Sequence, residues 1–200
     1  MRRLPTSIMP IAGASAPSSS PMPWMLGVVS RDAPCSVPWA ARPQRWTRTD
    51  ACVSINAEGG SAKISSNATH LLQQLYSDTQ CATLLQPGTY EELGVCLHGA
   101  GGFTLFAAAT APAPQLNTIV HQFSNAADCS SAPMVVETYP ANECYLPPGI
   151  AFYQSVLCDV PNNKATILAS CTATCPQDHC RVTNITLGCA YPNEKYSCNV

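Results

Sequence analysis

The chain has 200 residues, which is enough for one ordinary domain or two small ones. Its formal net charge is −2 and only 11% of its residues are charged, so composition offers no basic surface for nucleic acid. Twelve cysteines favour a disulfide framework in an oxidising, extracytoplasmic compartment. The sequence contains no run of about 18 apolar residues, so we predict no transmembrane helix.

Residues 1–49 differ in composition from the rest of the chain. They contain six arginines, all three tryptophans and eight of the eighteen prolines, with Asp32 as the one acid. Proline at this density blocks helices and interior strands. We therefore predict a largely disordered, Pro/Arg-rich segment at 1–49, followed by a cysteine-rich repeat region at 50–200.

The beginning of that segment admits three interpretations. Met1-Arg2-Arg3 and Ala14-Ser15-Ala16 fit the two ends of a secretory signal peptide, although Pro5 and Pro10 interrupt its apolar middle. An organelle transit peptide is the second interpretation, and a mis-chosen start that omits the true signal is the third. A weak or missing secretory signal ranks first, because the cysteines need an oxidising compartment.

Cysteine spacing in the second region predicts tandem units of about 48 residues. Three successive pairs of cysteines are separated by fourteen or fifteen residues. The pairs are Cys81 with Cys96, Cys129 with Cys144, and Cys175 with Cys189. An apolar segment precedes each pair at the same offset, so we place the units at about 67–114, 115–162 and 163–200.

Each unit is expected to be a β-hairpin stapled by its own pair of cysteines. Between Cys81 and Cys96, Pro87-Gly88 has the residue types of a turn, which would bring the flanking cysteines together. The leading apolar segments have a spacing that also fits a helix face, but their composition favours strands. The predicted fold class is therefore small, disulfide-rich and mainly β.

Two asparagines match the acceptor pattern for N-glycosylation. Asn67 and Asn184 each begin an N-x-[ST] tripeptide. At Asn184 the alternation of Ile185 and Leu187 predicts a strand with the asparagine on the outward face. Glycans at these positions would agree with secretion, and unmodified surface asparagines are the alternative.

A zinc site is the alternative use of the cysteines. Cys171, Cys175, His179 and Cys180 have the ligand types that tetrahedral zinc prefers. Structural zinc sites usually pair two short knuckles, and the chain contains no C-x-x-C motif. We therefore expect disulfides, with no metal ion and no other cofactor.

No catalytic constellation emerges from the sequence. The HGAGG run at 98–102 resembles an oxyanion loop, but the chain lacks the G-x-S-x-G motif that such a loop serves. The adjacent Glu91 and Glu92 would point to opposite faces of a strand, which makes them a poor catalytic pair. We therefore expect no catalytic residues and a non-enzymatic protein.

Aromatic residues recur around the paired cysteines, and four of them are candidates for ligand binding. They are Tyr76, Tyr90, Phe123 and Tyr139. The sequence predicts a secreted or cell-surface protein with a structural or adhesive role, whose partner is an extracellular glycan or a matrix protein. A carbohydrate-binding module that stacks sugars on these rings is one alternative, and a secreted inhibitor or effector is the other.

Overall fold

The computed structural model of the protein describes residues 24–30, 35, 43–54, 59–67, 69–99, 102–147, 151–191 and 193–200. Within these ranges the regular structure consists of fifteen β-strands and one short 3₁₀ turn, Gln177–His179, with no α-helix. The expectation of a mainly β, disulfide-rich fold is confirmed. No helix in the described ranges is long and apolar enough to cross a bilayer.

The strands divide into two series along the chain. The first series is β1 (Trp24–Ser30), β2 (Gln44–Arg48), β3 (Cys52–Ser54), β4 (Ser61–Ser66), β5 (His70–Tyr76), β6 (Leu84–Glu92), β7 (Cys96–Gly99) and β8 (Gly102–Ala109). The second series is β9 (Thr118–Ser124), β10 (Pro133–Pro140), β11 (Tyr153–Asp159), β12 (Lys164–Cys171), β13 (Arg181–Thr186), β14 (Gly188–Tyr191) and β15 (Glu194–Asn199).

Among the described residues, these strands form three antiparallel sheets. A central sheet of eight strands has the order β14-β15-β9-β10-β2-β1-β8-β7. A four-stranded sheet, β3-β4-β5-β6, comes from the first series, and a three-stranded sheet, β11-β12-β13, comes from the second. Each series therefore contributes four strands to the central sheet and one small sheet of its own.

The pairing pattern is two-fold symmetric about the middle of the central sheet. Read outward from the centre, β2-β1-β8-β7 in one half matches β10-β9-β15-β14 in the other. At the centre Arg45 pairs with Glu137, while Gln44 pairs with Thr138 and Trp46 with Val136. The two-fold pattern thus relates the two series of strands, and the predicted tandem hairpins of about 48 residues are not confirmed.

The disulfides follow the same two-fold pattern. The bonds are Cys35–Cys96, Cys52–Cys81, Cys129–Cys189, Cys144–Cys175, Cys158–Cys198 and Cys171–Cys180. Each half has an outer bond, with sequence separations of 61 and 60, that encloses an inner bond with separations of 29 and 31. Two further bonds occur only in the second half.

The predicted pairs Cys81–Cys96, Cys129–Cys144 and Cys175–Cys189 are therefore wrong, although all six cysteines are in disulfides. Pro87 and Gly88 explain the first error, because they lie within β6, at an irregularity in its pairing with β5, and form no turn. A Cβ at Gly88 would lie 2.5 Å from the Leu72 side chain and 3.0 Å from the Gln73 carbonyl oxygen. The absence of a side chain at Gly88 thus lets β6 lie close to the neighbouring strand β5. Because β6 is extended, it keeps Cys81 and Cys96 apart.

The prediction that residues 1–49 are largely disordered is not confirmed, because β1 and β2 are strands of the central sheet. Both strands lie at the middle of the central sheet, and Met25 and Trp46 are each only 2% exposed. Neither strand contains a proline. The high proline content of residues 1–49 as a whole therefore does not apply to β1 and β2. Residues 1–23, which include the predicted signal peptide, lie outside the described residues.

In the second half the small sheet packs against one face of the central sheet. A cluster of buried side chains joins Ile119 and Tyr196 of the central sheet to Val156, Ala165 and Ile185 of the small sheet. In the first half, Val53, Ala62 and Ile64 face Met25 and Gly27 in the same way across a cleft. Directly opposed strand residues share a face of the sheet. Because Gly27 is opposite Arg45, Arg45 is opposite Glu137, and Glu137 is opposite His121, both small sheets cover the same face of the central sheet.

Candidate functional site

The best-defined candidate site lies between the central sheet and the small sheet of the second half. It is a cleft of about 270 Å³, here called the His121 cleft. Its polar and aromatic lining consists of His121, Tyr139, Tyr145, Gln154 and Tyr196, and its apolar lining consists of Ile119, Val156 and Ile167. Four aromatic rings in so small a space give the cleft an unusual concentration of flat, polarisable surface.

Strand alternation brings these side chains to one place. Alternate residues of a strand point to the same face, and β9, β10 and β15 present His121, Tyr139 and Tyr196 to the small sheet. On the opposite wall, Tyr145 and Gln154 exchange two backbone N–H···O hydrogen bonds of 2.8 Å each. The cleft is therefore built on strands and on a paired bridge, which are rigid supports for a binding site.

A histidine flanked by two carboxylates lies at the floor of the cleft. The distance from His121 Nε2 to Glu194 Oε2 is 3.2 Å, and the distance from His121 Nδ1 to Glu137 Oε2 is 3.8 Å. The imidazole stacks on the Tyr196 ring, with centroids 4.1 Å apart and an interplanar angle of 13°. Phe123 packs on the same imidazole at 4.1 Å. Both ring nitrogens therefore face glutamates.

Tyrosine hydroxyls hold the two carboxylates in place. The Tyr139 hydroxyl donates a 2.6 Å hydrogen bond to Glu137, and the Tyr196 hydroxyl donates a 2.9 Å bond to Glu194. Arg45 adds an ion pair of 3.3 Å to the other oxygen of Glu137. Charge-assisted bonds of this kind fix the orientation of both partners, so the aromatic rings are held as firmly as the carboxylates.

Burial sets the protonation states in the cleft. Burial lowers the pKa of His121, while the nearby charges of Glu137 and Glu194 act in the opposite direction. Burial also raises the pKa of Tyr145 to about 12 and, together with the charge of Glu137, raises the pKa of Tyr139. At neutral pH the phenols of Tyr139 and Tyr145 are therefore protonated and can donate hydrogen bonds.

Two polar groups of the cleft have no hydrogen-bond partner within the described part of the chain. The Tyr145 hydroxyl and the Gln154 carboxamide line the cleft, and neither makes a side-chain hydrogen bond there. A phenol offers one donor, and a carboxamide offers two donors and one acceptor oxygen. These groups are thus available to a ligand, in contrast to Tyr139 and Tyr196.

The aromatic residues nominated from the sequence do not form one surface. Tyr139 lines the His121 cleft, and Phe123 lies at its edge against the imidazole. Tyr76 is buried in the first half, with 9% of its surface exposed. Tyr90 is 73% exposed on β6, beside a shallow depression that also contains Asn67 and His70.

Sequence reasoning missed the histidine and its two glutamates. On three strands a charged or titratable residue is followed two positions later by an aromatic one. The pairs are His121 with Phe123, Glu137 with Tyr139, and Glu194 with Tyr196. This polar-x-aromatic pattern with a period of two is the signal that could have identified the site, but it does not show which strands are neighbours.

Both glycosylation candidates lie on the surface. Asn67 is exposed, and its side-chain oxygen accepts hydrogen bonds from the backbone N–H groups of Thr69 (2.9 Å) and His70 (2.8 Å). Asn184 is exposed on β13, where its side-chain oxygen accepts a 2.9 Å bond from Thr166. In both cases these contacts use the oxygen rather than the nitrogen that would carry a glycan.

The cysteines of the alternative zinc site all form disulfide bonds. Cys171 is bonded to Cys180, and Cys175 is bonded to Cys144, so none of the three can act as a thiolate ligand. The side chain of His179 is 61% exposed. In the part of the chain that the structure describes, no group of three or more His, Cys, Asp and Glu side chains is placed to hold a metal ion.

Comparisons of the chain with protein-family models, with curated proteins and with solved structures find no match.

Proposed function

We propose that this protein is a non-enzymatic, extracellular or cell-surface binding protein with an adhesive role, and that it holds a carbohydrate residue in the His121 cleft. Six disulfides are compatible with an extracellular location, where oxidised cysteine pairs persist. Six cross-links also stiffen a small fold that must keep its binding geometry outside the cell.

The observation that carries this proposal is the combination of aromatic faces with two unpartnered polar groups in one small cleft. A sugar ring has an apolar face of C–H groups and a rim of hydroxyls. Aromatic side chains such as Tyr139 and Tyr145 complement the face, whereas the Tyr145 hydroxyl and the Gln154 carboxamide complement the rim. Because the remaining phenols are tied to glutamates, the cleft is pre-organised before a ligand arrives.

The same geometry supports a binding role over catalysis. A general base must reach the proton that it abstracts, but both nitrogens of His121 face Glu137 and Glu194. All twelve cysteines are in disulfides, so no thiol is available as a nucleophile. The arrangement thus favours a fixed hydrogen-bonding floor over a reactive centre.

A glycan array probed with the full, oxidised chain tests this function, followed by calorimetric titration of the best sugar. Tyr145→Phe removes only the hydroxyl, and Gln154→Leu removes the carboxamide while keeping much of its volume. Each change is expected to weaken binding by about tenfold, since a lost hydrogen bond leaves a sugar hydroxyl unpaired in the cleft.

Tyr90→Phe is the matched control, because it removes the same hydroxyl from an exposed ring outside the cleft. Its affinity should equal that of the unmodified protein. The proposal is overturned if no glycan is retained by the folded protein, or if Tyr90→Phe weakens binding while Tyr145→Phe and Gln154→Leu do not.

A further inference from the structure

The first half has its own version of the cleft, here called the Gly27 cleft. It lies between the central sheet and the sheet β3-β4-β5-β6, and its volume is about 380 Å³. Met25, Val53, Ile64, Leu75 and Phe106 supply most of its apolar lining. This volume falls within the range of small-molecule sites in proteins.

The two-fold pattern allows the two clefts to be compared position by position. Where the His121 cleft has His121, Tyr139, Tyr145 and Gln154, the equivalent positions of the other half carry Gly27, Thr47, Val53 and Ala62. Each of these four side chains is smaller, and three of them lack polar atoms. The Gly27 cleft is therefore larger than its counterpart, and Arg45, Thr47 and Gln73 supply its polar lining.

Gly27 lets the Phe106 ring lie directly against β1. A Cβ atom at this position would lie 3.3 Å from Cε1 of Phe106, which is closer than ordinary van der Waals contact. Phe106 pairs with Gly27 across β1 and β8, just as Tyr196 pairs with His121 across β9 and β15. The Phe106 ring thus covers β1 at the position where the His121 imidazole lies on β9 in the other half. The space beside the Phe106 ring is the Gly27 cleft.

Charge also differs between the clefts. Arg45 lines the Gly27 cleft, whereas its two-fold equivalent is Glu137, and none of the described residues that line the Gly27 cleft is acidic. The Arg45 side chain is 56% exposed, and one of its terminal nitrogens pairs with Glu137. A guanidinium has five N–H donors in a planar fork, so donors remain for a second carboxylate.

We propose that the Gly27 cleft binds a medium-chain aliphatic carboxylate. The hydrocarbon chain lies along Met25, Val53, Leu75 and Phe106, and the carboxylate group pairs with Arg45 at the mouth. Burial of the alkyl chain drives the association, because apolar surface is removed from water. The guanidinium selects the anion over a neutral or cationic molecule with the same chain.

Calorimetric titration of the full, oxidised chain with decanoate, decanol and decylamine tests this proposal. Decanoate is expected to bind to one site per chain and at least tenfold more tightly than decanol, with decylamine the weakest. Arg45→Gln should reduce the preference for decanoate over decanol to less than threefold, and Arg45→Lys should retain part of it. Ala62→Leu, which fills the cleft, should weaken decanoate and decanol alike.

Arg181→Gln is the matched control, because it is the same substitution at an exposed arginine of strand β13, outside the cleft. The proposal is overturned if the folded wild-type protein shows no saturable decanoate binding, or if it binds decanol as tightly as decanoate. The same holds if Arg181→Gln reduces the preference as much as Arg45→Gln does. Since the wild-type comparison needs no variant, the test stands even where a substitution prevents folding, and its result is separate from that of the sugar titration.

Discussion

At the scale of single residues, His121 couples the fold to pH. Burial lowers its pKa, and the attraction of Glu137 and Glu194 offsets this only in part. Between the unfolded pKa of about 6.5 and the lowered folded value, the unfolded chain binds a proton that the folded chain resists. The stabilisation from a neutral imidazole is therefore complete above about pH 6.5 and is lost as the pH falls toward the folded pKa.

We accordingly expect the thermal unfolding midpoint to fall as the pH is lowered from 7 to 5, as measured by differential scanning calorimetry. His121→Gln removes the titration and should flatten the slope in this window, whereas His179→Gln, on an exposed side chain, should leave it unchanged. Asp78 and Asp128 have pKa values lowered by hydrogen bonds, so their stabilisation is lost only at more acidic pH. A slope that survives in His121→Gln would contradict this assignment.

At the scale of elements, strands were easier to predict than their partners. The composition of segments such as β9 and β12 favours strands, and both are strands. Their places differ, because β9 lies in the central sheet while β12 lies in a small sheet. Cysteine pairing depends on which strands are neighbours, and spacing along the chain does not contain that information. The His121 cleft was missed for the same reason, since His121, Glu137 and Glu194 come from three different strands.

Gly88 shows how a local motif can indicate the wrong element. Next to Pro87 it resembles a turn, but its function is to let β6 approach β5 closely. Gly88→Ala is expected to destabilise the fold by about 1–3 kcal/mol, because the new Cβ meets Leu72 and the Gln73 carbonyl oxygen. Chemical denaturation measures this cost. Thr89→Ala on the same strand is the control, and equal stabilities of the two variants would refute the close-approach explanation.

At the scale of the whole molecule, two half-molecules share one sheet, and each is closed by nested disulfides. The central pair of strands, β2 and β10, is the seam between the halves, and Arg45 and Glu137 meet there at the pseudo-two-fold. The outer bond Cys35–Cys96 connects the link between β1 and β2 to the start of β7. It therefore ties the interior of the central sheet to one of its edges.

The length of the closed loop predicts which bond stabilises the fold most. In the chain-entropy model, removal of Cys35–Cys96, with a sequence separation of 61, costs about 4 kcal/mol. Removal of Cys171–Cys180, with a separation of 9, costs about 2.5 kcal/mol. The first variant retains the inner bond Cys52–Cys81, which shortens its effective loop. The difference in stability loss between the two variants becomes smaller, but Cys35–Cys96 still contributes more. Paired Cys→Ala variants, compared by guanidinium denaturation under non-reducing conditions, measure both values. A larger loss from the Cys171–Cys180 variant would mean that packing around the buried Cys171, rather than loop closure, dominates the stability of this fold.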